Sequence, residues 1–107
     1  MSNVFHEREN TFEKQFAHDE DQRFRAVARR NKAVALWIAD MKGLEGVDAE
    51  NYAIDFVAGH VGLSDDLVAA AFKADLKRAN LEVSDHRLTK KMDEAMAEAI
   101  ASIKAGR

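Results

Sequence analysis

From Phe24 onward the apolar residues return every three, four or seven positions. Phe24, Ala28, Val34, Ala35, Ile38 and Met41 fall on one stripe, the period of an amphipathic helix. The pattern stops at Lys42-Gly43, where glycine accepts the left-handed backbone of a helix C-cap. A second stripe follows at Tyr52, Ala53, Phe56, Val57 and His60, with Asp48 as its expected N-cap, Glu50 favourably placed in the first turn and Gly62 as its close. Ser64 predicts the cap of a third helix, with Asp65 and Asp66 at the positive end of its dipole and Leu67, Ala71, Phe72 and Leu76 facing inward. Ser84 caps a fourth, whose stripe is Leu88, Met92, Ala95, Met96, Ala99 and Ile103.

Four helices joined by short connections predict antiparallel neighbours in an irregular four-helix bundle, an all-α fold. Proline is absent from the 107 residues, and alanine, leucine, lysine, arginine and glutamate, which lose little in a helix, are plentiful. No repeat or linker divides residues 19–107, which are read as a single four-helix domain.

Residues 1–18 follow a different rule. Phe5, Phe12 and Phe16 are seven and four positions apart, so a helix would carry all three on one side, while Glu7, Arg8, Glu9, Glu13, Lys14 and Gln15 occupy the other. A narrow aromatic stripe on a charged helix suits a groove in a partner. As a helix the segment would reach ~27 Å. On its own it would be marginal in water, and each buried phenylalanine would contribute about 1.5–3 kcal/mol against the cost of ordering it. One expectation is therefore a mobile or extended N-terminal arm that folds on a partner. The other is a continuation of the first helix with the phenylalanines in the bundle's own core. Periodicity leaves both open, because it does not say which surface the stripe meets.

Charge and composition narrow the function classes. The net charge is −3 with a third of the residues charged, whereas a nucleic-acid binder usually shows a basic excess; no nucleic-acid partner is expected. The absence of cysteine excludes disulfides and thiolate metal sites. Residues 1–10 lack the apolar run of a secretory signal, and no segment approaches the ~20 apolar residues that span a bilayer. Cytoplasmic placement without membrane insertion is the resulting expectation.

Candidate chemistry is thin. Ser64 and Ser84 are taken as caps, and no Ser-His-Asp elbow or nucleophilic cysteine is present. His6, His18, His60 and His86 are scattered, with no i,i+4 pairing that would hold a metal. His60 is expected partly buried at a helix end. Trp37, Met92 and Met96 read as core packing. Arg23, Arg25, Arg29 and Arg30 form either a solvated face with internal Asp19–Arg23 and Asp21–Arg25 pairs, or a contact for acidic residues of a protein partner. An enzyme is not expected.

The run Phe16-Ala17-His18-Asp19-Glu20-Asp21-Gln22-Arg23-Phe24-Arg25-Ala26-Val27-Ala28-Arg29-Arg30-Asn31-Lys32, followed by Leu36-Trp37-Ile38-Ala39, resembles the signature of the zeta subunit of α-proteobacterial F-type ATP synthases. Tyr52-Ala53, Asp65-Asp66-Leu67 and Lys73-x-Asp75-Leu76 also fit, and the likeness covers essentially the whole chain. One departure is Val61-Gly62-Leu63-Ser64, where the family often has an acidic, proline-containing loop.

The resemblance implies a four-helix bundle with an N-terminal inhibitory segment. That segment enters an alpha/beta catalytic interface, with the gamma subunit of the rotor close by, and blocks ATP hydrolysis by wedging the interface. Partner-binding residues on this reading are Phe5, Arg8, Phe12, Phe16, Asp19, Arg23, Arg29 and Arg30. Some members bind adenine nucleotide, so weak ADP or ATP binding is a further implication, although Gly59-His60-Val61-Gly62 matches no phosphate motif and no residue is assigned to it. No cofactor is expected, and the free chain is expected to be a monomer. A helical adaptor for another partner, or a nucleotide-sensing module without strong inhibition, are the competing functions.

Overall fold

The computed structural model describes residues 19–107. They form four helices and, among the described residues, no strand: α1 (Glu20–Met41), α2 (Gly46–Gly59), α3 (Asp65–Arg78) and α4 (Asp85–Lys104). The expected all-α fold of four helices is therefore present. The N-terminal arm lies outside the described residues.

Local chemistry sets most of the boundaries. The Ser64 and Ser84 hydroxyls accept from the main-chain N–H groups of Leu67 and Arg87, at 3.3 and 3.1 Å, each satisfying one of the donors that a helix start leaves unpaired. Helix α1 ends as the sequence predicts: Gly43, at φ 81°, donates to Asp40 O while Leu44 donates to Ala39 O, the paired closure of a Schellman motif. Helix α3 closes by the same pattern with asparagine in the left-handed position. Asn80, at φ 57°, donates to Lys77 O and Leu81 to Leu76 O. Asparagine tolerates that conformation better than most residues carrying a Cβ.

Helix α2 begins earlier than expected. Its N-cap is Glu45, whose side chain makes no capping bond, and Asp48 lies inside the first turn, where its charge still faces the helix dipole. A turn that starts on Gly46, at positive φ, carries no side-chain signature to reveal it.

α1 is the central element, packed along both α2 and α4, while α3 is held more by long side chains than by close helix approach. The main core gathers Val34, Ala35 and Ile38 of α1 around Ala53 and Phe56 of α2, Val68, Phe72 and Leu76 of α3, and Leu88, Met92 and Ala95 of α4. Phe72 is fully buried and stacks on Phe56 with ring centroids 4.0 Å apart. His60, the C-cap of α2, stacks on the same Phe56, and its Nδ1–H donates to Phe56 O at 2.6 Å. It is half-buried at a helix end, as expected. A second, smaller core joins Ala26 of α1 to Ala99, Ile100 and Ile103 of α4. Early α1 against late α4 makes those two helices antiparallel.

Two stripe positions are corrected by the structure. Phe24 is 56% exposed and Leu67 equally so; Val68, one position on, turns into the core in place of Leu67. Phe24 does lie on the α1 face that carries Asn31 and Ala35 inward, seven and eleven positions away. The face is right, but among the described residues the covering ends sooner: α4's small cluster alone accompanies the first turns of α1.

Candidate partner-binding surface

Asp19 marks where the helical domain begins. Its carboxylate accepts from Gln22 N–H at 3.1 Å and its main-chain oxygen accepts from Arg23 N–H at 2.9 Å, so Asp19 is the N-cap of α1. Glu20 and Asp21 fill the first turn, where negative charge is favoured. Residues 1–18 thus join the domain at a capped, chemically defined helix start. Phe5, Arg8, Phe12 and Phe16 lie outside the described residues. Neither Asp19–Arg23 nor Asp21–Arg25 is among the ion pairs of the described residues; the Asp19 carboxylate is engaged by its own backbone instead.

The arginine cluster divides by depth. Arg23 and Arg25 are exposed. Arg29 is half-buried and reaches α4, donating from Nη1 to Ser102 Oγ at 3.1 Å and from Nη2 to the main-chain oxygen of Arg107 at 2.8 Å. Arg30 is only 3% exposed. Its Nη1 meets Asp65 Oδ1 at 2.8 Å, its Nε donates to Asn31 Oδ1 at 3.1 Å, and its buried Nη2 has no partner among the described residues. Four arginines that read as a single strip in the sequence therefore separate. Arg29 and Arg30 tie helices together, and Arg23 and Arg25 face solvent.

The Arg30–Asp65 bond joins the middle of α1 to the first turn of α3 and seals the main core on that side. Sequence reasoning missed it because the partners lie 35 positions apart and belong to different helices. The only local signal is that Arg30 shares a face with Val34, at the spacing of one helical turn.

Exposed large hydrophobics are Phe24 near the start of α1, Val47 and Ile54 on α2, Val61 and Leu63 in the following loop, and Leu67 on α3. Among the described residues no group of acidic or histidine side chains is arranged to hold a metal, and no helix is long and apolar enough to cross a membrane. Among the described residues the geometry is that of a helical scaffold whose α1 starts at Glu20 behind the Asp19 cap.

A protein-family model described as ATPase inhibitor subunit zeta matches residues 1–102. The chain belongs to this family. No curated protein and no solved structure showed a match. The family match runs through residues 1–18 as well as the four helices. Membership makes the chain a regulatory one that associates with ATP synthase, in agreement with the resemblance carried by residues 16–39.

Proposed function

We propose that the chain binds the catalytic sector of an F-type ATP synthase and inhibits ATP hydrolysis by inserting residues 1–18, as a helix, at an interface between alpha and beta subunits close to gamma. The observation that carries this reading is the family match over residues 1–102. In support, Phe5, Phe12 and Phe16 share one side of a helix, and Asp19 gives that segment a fixed point of departure from the domain. The mechanism is mechanical. A helix seated in the interface prevents the closure on which hydrolysis depends, and the three aromatic rings anchor it by burying apolar surface. Arg8 and Arg23 supply flanking charge, while Asp19 caps the start of α1 and Arg29 and Arg30 tie that helix to α4 and α3. Nucleotide binding has no assigned residue and enters no step of this mechanism.

The test is ATP hydrolysis by the cognate soluble ATPase sector in the presence of three proteins: the full chain, a chain starting at Asp19, and full-length Phe5→Ala/Phe12→Ala/Phe16→Ala. Inhibition by the first alone supports the proposal. Equal inhibition by all three moves the activity into the helical domain. Binding of the full chain without inhibition leaves a docked subunit and removes the wedge.

A further inference from the structure

Trp37 is the single tryptophan of the chain and packs against the main core from the last turns of α1. Over its ring lie two cations from α4: the Arg87 guanidinium, 5.3 Å from the ring centroid, and the Lys91 ammonium, at 5.7 Å. Each is attracted by the negative face of the indole. Neither has an ion-pair partner among the described residues, and Lys90 beside them is exposed. The preceding acid, Asp85, is already paired with Lys73 at 3.3 Å. Two like charges gathered at one ring repel each other.

The patch is also bounded. Asp93 and Glu94 follow Lys91 on α4, with Glu98 one turn later, and the chain as a whole carries −3. A nucleic acid presents one charge every ~1.7 Å over a long path, so it would run from the cations onto these carboxylates. A compact ligand with one or two negative groups meets only the cations.

From this we infer that Trp37, Arg87 and Lys91, with Lys90 at the rim, form a docking surface for carboxylates on a folded protein partner. Arg87 takes a carboxylate by charge-assisted hydrogen bonds, and the indole supplies an apolar, partly desolvated floor that strengthens them. Identifying that partner as the synthase rests on the function proposed above. On that reading the domain holds the enzyme at two points. The arm leaves α1 at Asp19, and Trp37 lies eighteen residues further along the same helix, ~27 Å away. A second contact raises the effective concentration of the arm at its target without any new interaction by the arm itself.

Trp37 reports on its own site. Hexaglutamate, which contains no tryptophan, is titrated into the full chain while the Trp37 emission is followed. The expected result is a saturable change that weakens as salt is raised and is lost in R87Q/K91Q, a variant whose folding is checked by its urea midpoint. In parallel, R87E/K91E should bind the catalytic sector about tenfold more weakly than the native chain, because both contact charges are reversed. Emission that ignores hexaglutamate, or responds equally in R87Q/K91Q, overturns the inference. So does tripolyphosphate displacing the peptide at far lower concentration, which makes the patch a phosphate site. A shift in emission on E7Q/E9Q/E13Q alone, without added peptide, overturns it as well, because the occupant is then the chain's own first residues. The two proposals fail separately. A native chain that responds to hexaglutamate but does not bind the synthase keeps the patch and removes the function. Equal binding of the synthase by R87E/K91E with a silent titration does the reverse.

Discussion

Arg30 of α1 and Asp65 of α3 meet at 2.8 Å across an unequal boundary: the arginine side chain is 4% exposed and the aspartate 56%. The pair sits at the rim of the main core, with the cation on the inside and the anion half in water. Removing one partner is therefore not equivalent to removing the other, because a buried charge left alone costs far more than an exposed one.

Asp65→Asn should lower stability by about 2 kcal/mol, since it leaves the Arg30 guanidinium without a counter-charge and withdraws an acid from the first turn of α3. Arg30→Met should change stability by less than about 1 kcal/mol in either direction. It replaces a buried cation, one of whose nitrogens has no partner, by an apolar chain of similar length, and it releases Asp65 to water. Urea unfolding of the two variants measures the asymmetry. Equal losses in both would mean that the bond matters for its geometry rather than for the burial of charge.

The three side-chain caps give a second set of expectations. Asp19→Ala, Ser64→Ala and Ser84→Ala should each cost about 1 kcal/mol. Asp19→Ala differs in where its effect is felt: hydrogen exchange should accelerate at Gln22 N–H, its partner in the cap, with little change in α3. Protection that stays uniform along α1 would show that the main-chain bond from Arg23 suffices to hold the helix start.

Unlike Asp19, which read as an ion-pair partner of Arg23, the two serine caps were legible in the sequence because capping is local: each serine stands directly before its helix start, with acid in the first turn. The same holds for Gly43, whose conformation its own lack of a Cβ permits. What stayed illegible was relational. The period that places Phe24 on the core face says nothing of how far the neighbouring helices extend, so its exposure had to come from the fold. Leu67 and Val68 are adjacent apolar residues, and only the seating of α3 decides between them. Arg30 and Asp65 each fit an ordinary surface role until the two helices are brought together. For the partner-binding residues the sequence still carries most of the case, since Phe5, Phe12 and Phe16 precede the described domain.

Phe24 and Phe72 provide a contrast within one residue type. Phe72→Ala should cost about 3–5 kcal/mol, because it empties a fully buried site and breaks the stack on Phe56. Phe24→Ser should shift stability by no more than about 0.5 kcal/mol, as expected of an exposed position. Thermal melts of the pair separate a core residue from one whose role, if any, lies in contact with another molecule. A large loss on Phe24→Ser would mean that residues before Asp19 cover it in the free protein.

Tyr52 and Asp75 lie 23 positions apart in the sequence and meet in the fold. The Tyr52 hydroxyl donates to Asp75 Oδ2, while Asp75 Oδ1 lies 3.5 Å from Lys42 Nζ and 3.4 Å from Arg78 Nη2. Lys42 in turn stands over the Tyr52 ring, 4.3 Å from its centroid. One carboxylate thus links the end of α1, the middle of α2 and the last turn of α3. Tyr52→Phe should cost about 1 kcal/mol, the net worth of a partly buried hydrogen bond. Asp75→Asn should cost more, because it weakens the attraction to both cations while keeping an acceptor for the hydroxyl. Combined with Asp75→Ala, Tyr52→Phe should cost less than it does alone, with a coupling of about 0.5–1.5 kcal/mol in a double-mutant cycle. Additive losses would show that the hydroxyl is satisfied equally well by water and that Asp75 acts through the two cations alone.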